Sequence, residues 1–272
     1  MNLPDVAELR LLFAGAYISG MIIFVCLLNH SKVSAVIIHH QKKFVVFQAW
    51  KSASSTLYRR LEKFNDSPYS RFYDFNPYLQ RIVHQHMTVA DLKALPEYRP
   101  DDRFAAFVRN PYDRVYSGFI QIQRDLQQQP AMPFPADWIR EHVMGQLALN
   151  AKRLQDAAFD FDAWVGLLKA ADIYETGLNS SLPLHPAHYW THDGEKVFTG
   201  FIGKVEHFEA DFRRMLEYLG IDEEIGMANE NLSDSPAPEN TYRYVHLMSA
   251  ATIDRINLLF EKDFQLFDYP FA

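Results

Sequence analysis

Residues 44–60 read Phe-Val-Val-Phe-Gln-Ala-Trp-Lys-Ser-Ala-Ser-Ser-Thr-Leu-Tyr-Arg-Arg, and this stretch constrains the fold most tightly. The apolar run Phe44 to Phe47 is long enough for a buried strand. A short loop follows, holding Lys51, Ser52, Ser54, Ser55 and Thr56. Leu57, Leu61 and Phe64 then recur at i, i+4, i+7, the spacing of a helix face. A strand, a hydroxyl-rich loop with one lysine, and a helix together make an anion site. The loop and first-turn N–H groups point outward, the helix dipole favours negative charge, and the lysine adds a full one. The alternative is a surface turn whose Ser and Thr side chains cap the helix.

A second unit of the same kind lies at 103–119. Arg103 to Val108 is a strand pattern with Arg109 at its end. Asn110 is suited to capping a helix, Pro111 to its first position and Asp113 to its third. Tyr112, Val115, Tyr116 and Phe119 form the apolar stripe, while Asn110, Arg114 and Ser117 fall on another face. Arg109 could simply pair with a surface carboxylate. Two such units in one chain, however, suit a ligand with two separated anionic groups.

Further along, strands are expected at Val33–Ile38, 81–86 and Val197–Ile202, and an irregular aromatic excursion at 65–80. Ile82, His84 and His86 would share one strand face, which could supply a general base, a metal ligand or plain structural histidines. With no third ligand evident, zinc fits least well. Thr88 looks like an N-cap for Val89–Leu95, and Gly220 like the residue that ends a helix at Leu219. Other helices are expected at 138–154, 161–171 and 249–261. Strands alternating with helices predict an α/β fold. Its centre is a P-loop-like parallel sheet flanked by helices, with an N-terminal apolar helix ahead of it.

Composition narrows the partners. With a net charge of −7, a broad nucleic-acid surface is not expected, so an anionic ligand needs a local basic pocket. Cys26 is the only cysteine, which rules out an intramolecular disulfide or a cysteine-based zinc site and fits a reducing compartment. Residues 11–28 carry no charge. As a helix they would reach about 27 Å, at the lower limit for a membrane span. Lys32, Lys42 and Lys43 lie downstream and would keep the rest of the chain on the cytoplasmic side. A buried N-terminal helix, or translation starting at Met21, are the alternatives. The domain division expected is an apolar segment, 1–32, followed by the main domain, 33–272.

Taken together these motifs resemble the PAPS-dependent sulfotransferases, in particular their carbohydrate (family 2-like) branch. Trp50-Lys51-Ser52-Ala53-Ser54-Ser55-Thr56 is similar to that family's 5′-phosphosulfate loop. Val108-Arg109-Asn110-Pro111-Tyr112-Asp113-Arg114-Val115-Tyr116-Ser117 is similar to its 3′-phosphate motif. Phe201-Ile202-Gly203-Lys204-Val205-Glu206 and Lys262-Asp263-Phe264, with Phe267 and Tyr269, follow in the family's order. Two positions depart from the pattern. Trp50 stands where a proline is usual before the lysine, and His185-Pro186-Ala187-His188 lacks the glutamine of an acceptor-side element.

The resemblance implies in-line transfer of a sulfuryl group from PAPS to an acceptor hydroxyl on a carbohydrate or glycoconjugate, with PAP as product and no metal. It assigns Lys51 to the leaving group. Ser52, Ser54, Ser55 and Thr56 go to the 5′-phosphate, and Arg109 and Ser117 to the 3′-phosphate. His84-Gln85-His86 is similar to the segment that carries the base in uronyl 2-O-sulfotransferases, which makes His86 the expected base. The disulfides of vertebrate Golgi members cannot form here, so a cytoplasmic location is expected, with anchorage on that face if 11–28 spans the membrane. A P-loop kinase is the first rival, yet residues 44–56 contain no glycine for its phosphate wrap. A decayed, non-catalytic sulfotransferase fold is the second.

Overall fold

The computed structural model describes residues 36–69, 73–83, 86–128, 134–174, 184–223, 225 and 242–272. All belong to one of two units of the chain, residues 34–272. The apolar segment 11–28, the proposed division at 32–33 and His84 lie outside the described residues. No helix among the described residues is long and apolar enough to cross a membrane.

The two apolar runs that the sequence marks become adjacent strands. β1 (Ile37–His39), β2 (Phe44–Phe47), β3 (Asp74–Asn76), β4 (Arg81–Val83), β5 (Arg103–Val108), β6 (His192–Asp193), β7 (Lys196–Val197) and β8 (Phe201–Lys204) form three sheets. The central one has the order β1-β2-β5-β8. β2 and β5 run parallel, as do β5 and β8, while β1 is antiparallel to β2. The sheet is therefore mostly parallel, with an antiparallel edge. The hairpin arises because residues 40–43 form a tight turn that Lys43 closes with φ 53°. A strand entering through so short a turn can only return antiparallel.

Side-chain alternation buries both faces of the sheet, as parallel strands require. Ile37, Phe44, Val46, Ala105 and Phe107 point to one side, against α1 (Ser54–Leu61) and α7 (Phe208–Leu219). Ile38, Val45, Phe47, Phe104 and Ala106 point to the other, onto Val83, Met87, Trp190 and α2 (Val89–Lys93). A third apolar cluster joins α3 (Pro111–Gln128), α4 (Asp137–Asp156), α5 (Phe161–Leu167), α6 (Ala170–Tyr174), α8 (Ala250–Leu259) and α9 (Glu261–Leu266). Arg60 fastens α1 to α7. Its guanidinium makes a two-pronged bond to Glu209, at 3.0 and 2.7 Å, and lies over the Phe208 and Phe212 rings.

Four expectations are corrected. The strand placed at 197–202 starts four residues later, at 201–204. Phe198 and Thr199 both donate to the Thr191 carbonyl and so belong to the β6–β7 hairpin. Gly203, which with Lys204 is expected from the sequence to close that strand, instead lies within β8, where a Cβ would sit 2.7 Å from the Phe107 ring on the adjacent strand. The helix at 161–171 is two helices, broken where Leu168 turns extended (ψ 134°) and Arg255 takes its carbonyl. The stretch at 65–80, expected to be irregular, contains β3, which pairs with β4; of the strand expected at 81–86, residues 84–85 lie outside the described residues.

Candidate active site

Parallel strands in an open sheet collect ligands at their carboxyl ends. β2, β5 and β8 share one direction, so residues 48–53, 109–110 and 205–206 all emerge at the same edge. That topology, rather than any local signal, brings the motifs together.

The first loop reaches its shape without glycine. Lys51 (φ 55°) and Ala53 (φ 61°) are both left-handed, and Ser52 between them is not. Such alternation turns successive N–H groups into a concave anion-binding nest. The cost is on the order of 1 kcal/mol or more at each position, which is the mark of a loop held for use. The lack of glycine therefore does not bar a phosphate-type wrap, contrary to the argument from sequence. Ala53 occupies the N-cap of α1 and offers no side-chain cap. The first turn, Ser54, Ser55 and Thr56, holds no acidic residue, and the last holds Arg59 and Arg60. The N-terminal end thus keeps its attraction for an anion. Ser52 is turned the other way. It is fully buried, its hydroxyl donates to the Trp50 carbonyl and its N–H to that of Ala49, so it shapes the turn.

Lys51 extends from this loop to α3. Its Nζ donates to Gln121 Oε1 at 3.2 Å. Burial first, and then the Arg109 charge, push its ammonium down to about 8, against the opposing pull of Asp125. Arg109 and Lys51 are thus close enough to feel each other, so the lysine of the first unit and the arginine of the second contribute charge to the same region. Arg109 is mostly buried and lies 3.7 Å from Asp113. Ser117 is partly buried one helical turn before Gln121. Arg114, which the helical wheel groups with Ser117, instead points inward. It is completely buried and paired with Asp263 at 2.8 Å.

His86 stands at the end of β2, not on a strand of its own. Its Nδ1 lies 2.5 Å from the Gln48 carbonyl, and its ring stacks on Trp50 with centroids 3.7 Å apart. A carbonyl can only accept, so the ring donates from Nδ1 and, when neutral, carries its basic lone pair on Nε2. Trp50, the residue that departs from the usual proline, packs directly against this imidazole.

The start of α3 is fixed by distant residues. Asn110 Oδ1 accepts from the Asp113 N–H at 2.8 Å, the expected cap. The Asn110 N–H and Nδ2 both donate to Glu206 Oε1 at 2.8 Å, and the Tyr269 hydroxyl donates to Glu206 Oε2 at 2.9 Å. Asp113 also accepts from the N–H groups of Arg243 and Tyr244. Asp263 accepts from Arg114, from His188 Nδ1 at 2.7 Å and from the Ala187 N–H at 2.6 Å. Burial alone would raise that carboxyl. His188 and Arg114 outweigh it and hold the group below the usual carboxylate range.

Gln121, Asp125 and Arg243 are the residues of this region that sequence reasoning missed. The first two had a signal: Asp113, Ser117, Gln121 and Asp125 repeat every four residues, one ridge of one helix. Arg243 had none, since its contact is with Asp113, far earlier in the chain.

The chain matches the sulfotransferase family over residues 34–270. Comparison with curated proteins and with solved structures gives no match. The motif order, the α/β sheet and that family match agree, and the chain belongs to the sulfotransferase family.

Proposed function

We propose that this protein transfers the sulfuryl group of PAPS to a hydroxyl of a carbohydrate or glycoconjugate. The observation that carries the proposal is the contact of Lys51 with α3. It joins the loop of the first anion unit to the helix of the second, within reach of Arg109's charge. A ligand with two separated phosphate groups suits that arrangement. The donor set fits it chemically: a nest and an uncapped helix start for the 5′ end, and a guanidinium with a neighbouring hydroxyl for the 3′ end.

When bound, PAPS supplies a sulfuryl group on a phosphate leaving group. Ser54, Ser55 and Thr56 hold the 5′-phosphate with their backbone N–H groups, and Ser52 supports the loop beneath them. Arg109 and Ser117 hold the 3′-phosphate. His86 takes the acceptor's proton at Nε2 as the acceptor oxygen bonds to sulfur. The bridging S–O bond breaks, and its electron pair stays on the departing phosphate. Lys51 faces that developing charge with an ammonium already in place, the arrangement in which electrostatic stabilisation is worth most. The reading includes a cytoplasmic site of action and needs no metal.

Calorimetry with PAP, using ATP as competitor, tests this directly. Tight PAP binding, weak ATP binding and a loss of about 100-fold in Arg109→Ala, the scale of a lost charged bidentate bond, are expected. Strong ATP binding that ignores Arg109 would replace this reading with a kinase.

A further inference from the structure

The ridge on α3 continues past Ser117 into two residues for which the transfer step as described has no use. Lys51 Nζ donates to Gln121 Oε1 at 3.2 Å, and Gln121 Nε2 donates to Asp125 Oδ1 at 2.7 Å. The polarity of a carboxamide suits this place: its oxygen meets the cation and its NH2 meets the anion. Asp125 fixes which way round the amide sits, because reversing it would set oxygen against carboxylate and NH2 against ammonium. We infer that Gln121 and Asp125 are positioning residues, a relay that holds the Lys51 side chain on α3 and keeps its ammonium protonated between reactions. This rests on the reading of Lys51 as the cation that meets the leaving group.

The surroundings show why a relay is needed. Lys51 is mostly buried, and Arg109 and Arg124 both add positive charge beside it. Asp125 is the acidic group acting on it, and Tyr73 in turn faces Asp125. Two arginines and burial all favour the neutral amine. The charge of the Asp125 carboxylate opposes them. Asp125 is itself partly buried, which raises its carboxyl, while Gln121 and Lys51 draw it back down. Lys51 and Asp125 thus each stabilise the charged form of the other.

The test needs a readout that turnover does not control. Competitive acetylation of the full chain over a pH series, with Lys51 followed by mass spectrometry, gives the amine's titration directly. The unaltered protein should titrate at about 8. Asp125→Asn, which keeps the shape and removes the charge, should lower that midpoint by about one unit, the small end of the effect of a nearby opposite charge. Gln121→Glu should raise it by about as much. In sulfuryl transfer, Asp125→Asn should move the alkaline fall of kcat/KM to lower pH while PAP affinity stays within about twofold. An unchanged Lys51 midpoint in both variants overturns the relay, whatever the activity. Retention of transfer by Lys51→Ala would overturn the assigned role of Lys51 and leave the labelling result standing.

Discussion

Lys51 and His86 are separated by 35 positions in the chain but are neighbours of one tryptophan: Trp50 precedes the lysine and stacks on the histidine. The His86 ring is held by that stack and by the Gln48 carbonyl, and neither contact uses the Lys51 ammonium or the Arg109 guanidinium. His86→Ala is therefore expected to lower kcat by about 100-fold or more, the usual contribution of a general base, with PAP affinity unchanged by calorimetry. A parallel loss of PAP affinity would make His86 part of the nucleotide site instead. At this scale the sequence was partly legible. The residue types at 51, 86, 109 and 117 stood out because few side chains can hold phosphate or move a proton near neutrality. Their orientation was not legible. Ser52 looks like a ligand by composition yet is consumed by the turn, and Arg114 looks like a partner of Ser117 yet faces the core. Both depend on residues far away in the chain, which local spacing cannot encode.

Elements, rather than single residues, explain why a motif near the C-terminus belongs with one in the middle. α9 carries Asp263 against Arg114 of α3, and the pair is buried to within 2% exposure on both sides. Removing one partner of such a pair costs about 3–5 kcal/mol, because the other is left buried and uncompensated. Asp263→Asn should therefore destabilise the protein by about that much in urea unfolding, and adding Arg114→Met should recover part of the loss. A loss below about 1 kcal/mol would show that the pair does not join the two helices. The acid response follows from the same group. Its carboxyl titrates lower in the folded than in the unfolded protein, so the unfolded chain binds the extra proton. The stabilisation is complete above the ordinary aspartate range and is lost as pH falls below it. The strand–helix alternation and the strand at 103–108 were readable from apolar periodicity. The break at Leu168 and the late start of β8 were not, because Arg255 and Thr191 impose them from elsewhere.

For the whole molecule, the sheet edge decides everything: three strands of common direction deliver three loops to one place. The family match begins at residue 34, where the larger unit of the chain also begins. A chain lacking residues 1–33 is therefore expected to unfold cooperatively and to bind PAP as the full chain does, within about twofold in Kd; calorimetry and thermal melting would check it. A tenfold weaker Kd would give the apolar segment a part in the site. The contacts that complete the edge join residues far apart in the chain. Tyr269 fastens Glu206, which holds Asn110, and Asp263 holds Arg114. During synthesis Asp263 and Tyr269 leave the ribosome after the residues they hold. A nascent chain of 250 residues already contains Lys51, His86, Arg109 and Ser117 but still lacks the tyrosine and the aspartate that set α3 in place. Contacts this distant in sequence form slowly. Setting of α3 therefore waits until the chain has grown past Tyr269, and a chain cut at residue 250 holds Lys51, His86, Arg109 and Ser117 without the frame that aligns them.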